Sequence, residues 1–165
     1  MTIRKTREED MPRIMEIFSI AKAFMRQKGN MHQWNGSYPD RDAIIRDMER
    51  GWSHVITDDS DRPIATFCMM DAPEPTYNRI YDGRWLNDEP YVVLHRVASD
   101  GSVPRTFHAM VEYAATRYNN LRVDTHRENI PMQEALIREG FSRCGVIFLA
   151  DGSERIAFQR ASATL

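Results

Sequence analysis

With 165 residues, 42% of them apolar and 28% charged, the chain has the composition of a globular protein with one core, not of a disordered or fibrous one. A net charge of −2 provides no general field for nucleic acid, although 19 of the 22 basic residues are Arg. Cys68 and Cys144 lack the spacing of a metal site, and no run approaches the roughly 20 apolar residues of a membrane span. Reduced thiols, no metal, no membrane partner and a cytoplasmic location are therefore expected, the last also because residues 1–10 hold no signal-like apolar segment.

Ile3–Lys5 reads as a short first strand. Thr6-x-x-Glu9 has capping-box spacing, which predicts a helix from about Arg7 whose stripe is Met11, Ile14, Phe18, Ala21 and Met25, ended by Gly29-Asn30. An aromatic, amide-rich loop from Met31 to Pro39 precedes a second helix, about Asp40 to Arg50, with Ile44, Ile45 and Met48 inward and Gly51 as its stop. Trp52–Thr57 and Pro63–Met70 flank the polar cluster 58–62 and read as a hairpin. Prolines 73, 75 and 90 predict an ordered loop, with no long element, from Ala72 to Glu89. A strand from Tyr91 to Ala98, a helix from about Pro104 to Tyr118, a strand Leu121–Thr125 and a helix Pro131–Glu139 follow. A hairpin, Ser142–Leu149 and Ser153–Arg160 across Asp151-Gly152, completes the order β-α-α-β-β-β-α-β-α-β-β. This places one domain in residues 1–160 and a polar tail in 161–165.

Some residues have chemistry to offer. His95 sits within an otherwise apolar strand, where an imidazole is either a hydrogen-bonded core group or a base working near neutral pH. Asp124, His126 and Glu128 cluster at the end of the fifth strand and read as a local polar network. Asn129 opens a helix that stops at Gly140-Phe141, which is also how a plain Asn cap and Gly stop look. Arg117, Arg122 and Arg127 alternate with polar residues and carry no nucleic-acid reading motif.

The order Tyr91–Ala98, loop, helix, Leu121–Thr125, then His126, Asn129 and Gly140-Phe141, resembles the acetyl-CoA-binding half of the GCN5-related N-acetyltransferases, the GNAT family. Gln33-Trp34, Tyr38-Pro39, Pro75-Thr-Tyr77, Gly83-Arg-Trp-Leu86 and His95-Arg96 also look like a bacterial GNAT subgroup uncharacterised in its substrate. The resemblance implies an α/β fold with a mixed, mainly antiparallel central sheet and helices on both faces. It implies acetyl transfer from acetyl-CoA, as co-substrate and without a metal, to a primary amine of a small molecule or peptide. Carried over by position, Val97 and Ala98 offer backbone to the pantetheine arm, Asn129 reaches the arm, and the amides of Arg105, Thr106, Phe107 and His108 meet the pyrophosphate. His95 is then the catalytic base, and Trp34, Tyr38, Trp85 and His126 face the acceptor, with Trp34 and Trp85 equally readable as plugs of the sheet.

The loop Gly101–His108 departs from the family's basic residue and Gly-x-Gly, with Arg105 and Phe107 on or near the glycine positions and Pro104 removing a donor. Leu136 stands where many members carry a tyrosine general acid. These departures keep two alternatives open: a non-catalytic relative that binds acyl-CoA or another ligand, and a transferase using a different acyl donor. A homodimer through strand pairing at an edge near the carboxyl terminus is also within what the resemblance allows.

Overall fold

In the computed structural model, which describes residues 1–162, the strands are β1 (Thr2–Lys5), β2 (Ser53–Thr57), β3 (Pro63–Met70), β4 (Val92–Ser99), β5 (Asn120–Thr125), β6 (Ser142–Phe148) and β7 (Glu154–Ala161). The helices are α1 (Met11–Gln27), α2 (Arg41–Glu49), α3 (Thr106–Ala115) and α4 (Ile130–Arg138). One sheet runs β1-β2-β3-β4-β5-β7-β6, antiparallel at every step except β4 beside β5. The expected α/β order is the observed one. The expected polar tail begins later, since Ala161 pairs with Asn120 inside the sheet, and its residues 163–165 lie outside the described residues.

Alternation within the strands sends successive side chains to two layers. Ile56, Phe67, Leu94, Val123 and Phe158 face α3 and α4 through Met110, Val111 and Leu136. Val55 and Ala98 face the other way, onto Ile14, Phe18 and Ile44 of α1 and α2. Beyond α1 and α2 that second face is closed by the loop 72–89, where Tyr77 and Trp85 pack against Cys68, Val93, Ile147 and Ala157.

One local expectation is corrected. The capping pair before α1 is not Thr6 with Glu9: the Arg7 N–H donates to Asp10 Oδ2 at 2.7 Å and Thr6 Oγ1 bonds Ser53 Oγ at 2.7 Å. A 3-10 turn over Glu8–Asp10 therefore precedes the helix, and Arg4 draws Asp10 inward by a two-pronged ion pair. Along β6, the edge strand near the carboxyl terminus, part of the backbone is paired within the chain: Tyr81 exchanges two 2.8 Å backbone bonds with Val146, and the Arg84 N–H reaches Cys144 O at 2.9 Å. Gly83 and Gly145 permit this approach, because a Cβ on either would stand 1.9 or 2.5 Å from a carbonyl oxygen.

The stop of α4 is a Schellman turn. Gly140 takes φ 84°, its N–H reaches Ile137 O at 3.1 Å, and the Phe141 N–H reaches Leu136 O at 3.0 Å.

His54 of β2 is 1% exposed, stacks on Phe67 at 5.1 Å and bonds Trp52 O through Nδ1, leaving Nε2 without a partner among the described residues. Burial, the largest influence, pushes its pKa down, so the folded chain holds it neutral. The unfolded chain protonates it near pH 6.5, so this contribution to stability is complete above that pH and declines below it. We expect the unfolding free energy from urea titrations to fall from pH 7.5 to pH 5.5, by at most about 1.4 kcal/mol per pH unit for one proton. In His54→Leu the slope should flatten.

Candidate active site

β4 and β5 pair only at Val92 with Leu121 and Val93 with Arg122. Past Val93 the two strands share no ladder pair, because β4 bulges: Arg96 and Val97 together oppose the single residue Phe67 of β3. Arg96 takes a left-handed φ of 49°, an unfavourable conformation for a side chain of this size. It is held there by a forked ion pair to Asp47 of α2, Nε to Oδ2 at 2.8 Å and Nη2 to Oδ1 at 2.6 Å, while Nη1 donates to the Tyr38 hydroxyl at 2.9 Å. Beneath it, burial pushes the Cys68 thiol up to about 12, which leaves it protonated and inert.

Two cavities open on either side of the bulge and meet at Met25, Val97, Asn129 and Met132. One, of about 300 Å³, runs between Ile20 and Phe24 of α1, the Val97–Gly101 stretch, Thr106 and Phe107 at the start of α3, and Pro131 of α4. Its apolar walls and unpaired strand edge suit an extended arm that hydrogen-bonds to backbone. At its far end α3 begins on Arg105 in a left-handed conformation, φ 66°, with no side chain capping the amides that follow. Glycine takes this backbone without cost, and an exposed Arg takes it here. Arg13 bonds Pro63 O and pairs with Asp100, which in turn accepts from the Ser102 N–H and hydroxyl and so holds the preceding loop.

The other cavity, of about 400 Å³, is polar. His95 lies on its wall with Nε2 3.2 Å from Glu74 Oε2. The hydrogen bond from His95 is the main cause holding Glu74 down to about 2; burial opposes it and Thr76 adds bonds of its own. A carboxylate at Nε2 fixes the neutral imidazole as the Nε2–H tautomer and leaves Nδ1 as the acceptor. Beside it, Tyr77 is buried and donates to Asp124 Oδ2 at 2.6 Å, with its pKa raised well above 10 by burial and then by Asp124.

The remaining sequence candidates divide. Trp34 and Tyr38 line the polar cavity, Trp34 also packing edge-to-face on Phe18 at 5.6 Å. Trp85 lies outside both cavities: it packs on Tyr77 at 5.0 Å, donates to Tyr77 O, and covers the Arg122 guanidinium, so it plugs the sheet. His126 lines neither cavity: its Nδ1 accepts from the Glu128 N–H and its ring stacks with His32 at 6.2 Å, while Asp124 is taken by Tyr77. Asn129 caps α4 through the Met132 N–H at 3.2 Å and donates to Gln33 Oε1 at 3.0 Å, so its side chain is committed even though it lines both cavities. The side chain of His108 is bound to Glu139 at 2.8 Å, and only its amide faces the start of α3. His108, Glu112 and Glu139 have ligand atoms within 4.8 Å of one another, a grouping not read from sequence, but Arg160 already stands 3.5 Å from Glu112.

Glu74 and Arg155, both on the polar cavity, were not picked out in sequence. Glu74 lies in a proline-rich loop that no pattern aligns with β4. Arg155 carried one unused signal, a basic residue at the inward phase of a strand.

An open mixed sheet parted between two parallel neighbours, with a cavity on each side of the parting, is the architecture of a GNAT-type transferase. No protein-family model matches the sequence, and no curated protein matches it. Among solved structures, a GNAT-family acetyltransferase from Streptococcus agalactiae 2603 is 29% identical, with a TM-score of 0.85 over 99% of this chain and 96% of that one. GNAT-family acetyltransferases from Listeria monocytogenes 4b F2365 (14% identity, TM-score 0.71, 97% of this chain and 94% of that one) and Bacillus cereus ATCC 10987 (15%, 0.61, 99% and 98%) share the fold. The chain has the GNAT fold, and the general activity that these likenesses support is acetyl transfer. No described helix is long and apolar enough to cross a membrane.

Truncating Asp47 strands the Arg96 cation where it is largely shielded from water. We expect Asp47→Ala to lose about 3–5 kcal/mol of stability in urea unfolding. Asp47→Leu combined with Arg96→Met should recover most of that loss while closing the polar cavity.

Proposed function

We propose that the chain moves an acetyl group from acetyl-CoA to a primary amine of a small molecule, by direct attack with both substrates bound. The observation that carries this reading is the meeting of the two cavities at Val97, with His95 and Glu74 on the polar side. The apolar cavity suits the pantetheine arm along the free edge of β4, and the amides opening α3 suit its pyrophosphate, helped by the helix dipole. Acetyl-CoA supplies an activated thioester carbonyl when bound.

In this reading the amine sits in the polar cavity and gives its proton to Nδ1 of His95, directly or through a water, as its nitrogen bonds the carbonyl carbon. The charge that develops on His95 is balanced by Glu74, which is ionised throughout the useful pH range. A backbone N–H on the free edge near Val97 polarises the carbonyl oxygen. As the carbon–sulfur bond breaks, the sulfur departs as thiolate. Leu136 is fully buried in the core and offers no proton, and a thiol with a pKa near about 8.5 leaves without one.

A second reading has one observation in its favour: with Pro104 lacking an N–H and Arg105 in the left-handed turn, the pyrophosphate end differs from the family pattern and suits a pantetheine donor on a carrier. Calorimetry with acetyl-CoA decides between them. Micromolar binding supports the first reading; no binding at millimolar concentration, with turnover of a carrier-bound donor uncompeted by free CoA, supports the second. With a donor in hand, His95→Gln should lower kcat by about 10²–10⁴-fold without weakening donor binding. Glu74→Gln, which frees the other tautomer, should cost less. A rate unchanged at all pH values in His95→Gln would remove the base from the mechanism.

A further inference from the structure

We propose that the acceptor amine also carries a carboxylate, and that Arg155 receives it. This names the substrate class of the site just described and rests on that reading. Arg155, near the start of β7, is only 9% exposed and lines the polar cavity. It lies on the same face of the sheet as His95 and Asp124: Asp124 is paired with Ala157, two residues along the strand from Arg155, and His95 with Cys68 on that face. Among the described residues the one hydrogen bond of its side chain is Nη1 to Glu154 O at 3.0 Å, and no carboxylate oxygen lies within 4 Å of its guanidinium.

Other buried guanidinium groups are occupied within the fold: Arg96 is paired with Asp47 and Arg4 with Asp10, while Arg122 lies against two aromatic faces at 4.0 Å each and donates to Asn87 O, with its Nε left without a partner among the described residues. Within the cavity every carboxylate is engaged, Asp47 by Arg96, Glu74 by His95 and Asp124 by Tyr77. Among the described residues that line this cavity, Arg96 is paired and Arg46 and Arg50 are exposed, so Arg155 is the buried cation with donors to spare, and a guanidinium fork fits a carboxylate by two parallel hydrogen bonds. A phosphate would fit the fork too, but its second charge would meet Glu74 and Asp124 in the same enclosure, so a monoanion is favoured. With about 400 Å³ available, the occupant is a small amino acid whose amine lies toward His95 and whose carboxylate lies toward Arg155.

The test uses matched acceptors, each amino acid beside its primary amide and its decarboxylated amine, with wild-type protein, Arg155→Gln and Arg155→Lys. Charge-assisted hydrogen bonds of this kind are worth about 10- to 100-fold in kcat/KM. We expect wild type to prefer the acid by that factor, mainly through KM, Arg155→Lys to keep part of the preference, and Arg155→Gln to bring the ratio toward one. Equal rates for acid and amide in wild type, an undiminished preference in Arg155→Gln, or a stronger preference for aminophosphonates would each overturn the assignment. Thermal-shift titration with N-acetylamino acids and their amides separates this proposal from the proposed reaction. Stabilisation by the acids alone, lost in Arg155→Gln, would support the anion site even if no amine were acetylated, and none at millimolar concentration would refute it. Acetyl-CoA affinity of the variants serves as the control for folding.

Discussion

The left-handed bulge at Arg96 is the constraint on which the site depends. One extra residue in β4 bends the strand away from β5, and the free edge, the apolar cavity and the polar cavity all follow from that parting. An arginine does not adopt φ 49° unaided, and the forked pair to Asp47 supplies what holds it. The ion pair that positions the strand also joins α2 to the sheet, and the same guanidinium, through Tyr38, anchors the aromatic loop, so one cation ties β4 to a loop and helix some fifty residues earlier in the chain.

The two sides of the bulge differ in charge for physical reasons. On the apolar side, α1 presents Ile20 and Phe24 outside its core stripe, apolar residues that would be poorly placed on a solvent face but are suited to the wall of a channel. On the polar side, Asp47, Glu74, Asp124 and Arg96 are brought under cover and each is answered by a neighbour, whereas Arg155 keeps free donors toward the cavity. Buried charge is tolerated where it is paired, and a cavity-facing cation without an anionic partner is therefore the group to which we assign the anion site. The pairing of Glu74 with His95 has the same logic, since an ionised carboxylate selects the tautomer that leaves a nitrogen able to accept a proton.

Sequence patterns reached the elements more readily than the contacts. Periodicity located α1 and its stripe, although Ile17 is as buried as its neighbours and was missed because it lies between the marked positions. Glycine punctuation located the end of α4 at Gly140, where a single left-handed residue closes the helix whatever surrounds it. The capping pair failed because Ser53, brought beside Thr6 where β1 pairs with β2, takes the Thr6 hydroxyl, and Asp10, held by Arg4, takes the Arg7 N–H in place of Glu9. Trp34 and Trp85 looked alike in sequence, two tryptophans in loops, and the fold separates them into a cavity wall and a plug.

By itself the sequence determined what depends on neighbours along the chain: the order of strands and helices, their stops, and the candidacy of His95 on an apolar strand. Periodic burial and turn chemistry act over a few residues, so they are legible without coordinates. Only the tertiary structure decided that Glu74 meets His95 across 21 residues, that Asp47 holds Arg96 across 49, and that Arg155 of β7 shares the cavity with both. Those meetings are set by sheet order and by the bulge, and electrostatic strength falls off with distance in space, not with separation along the chain.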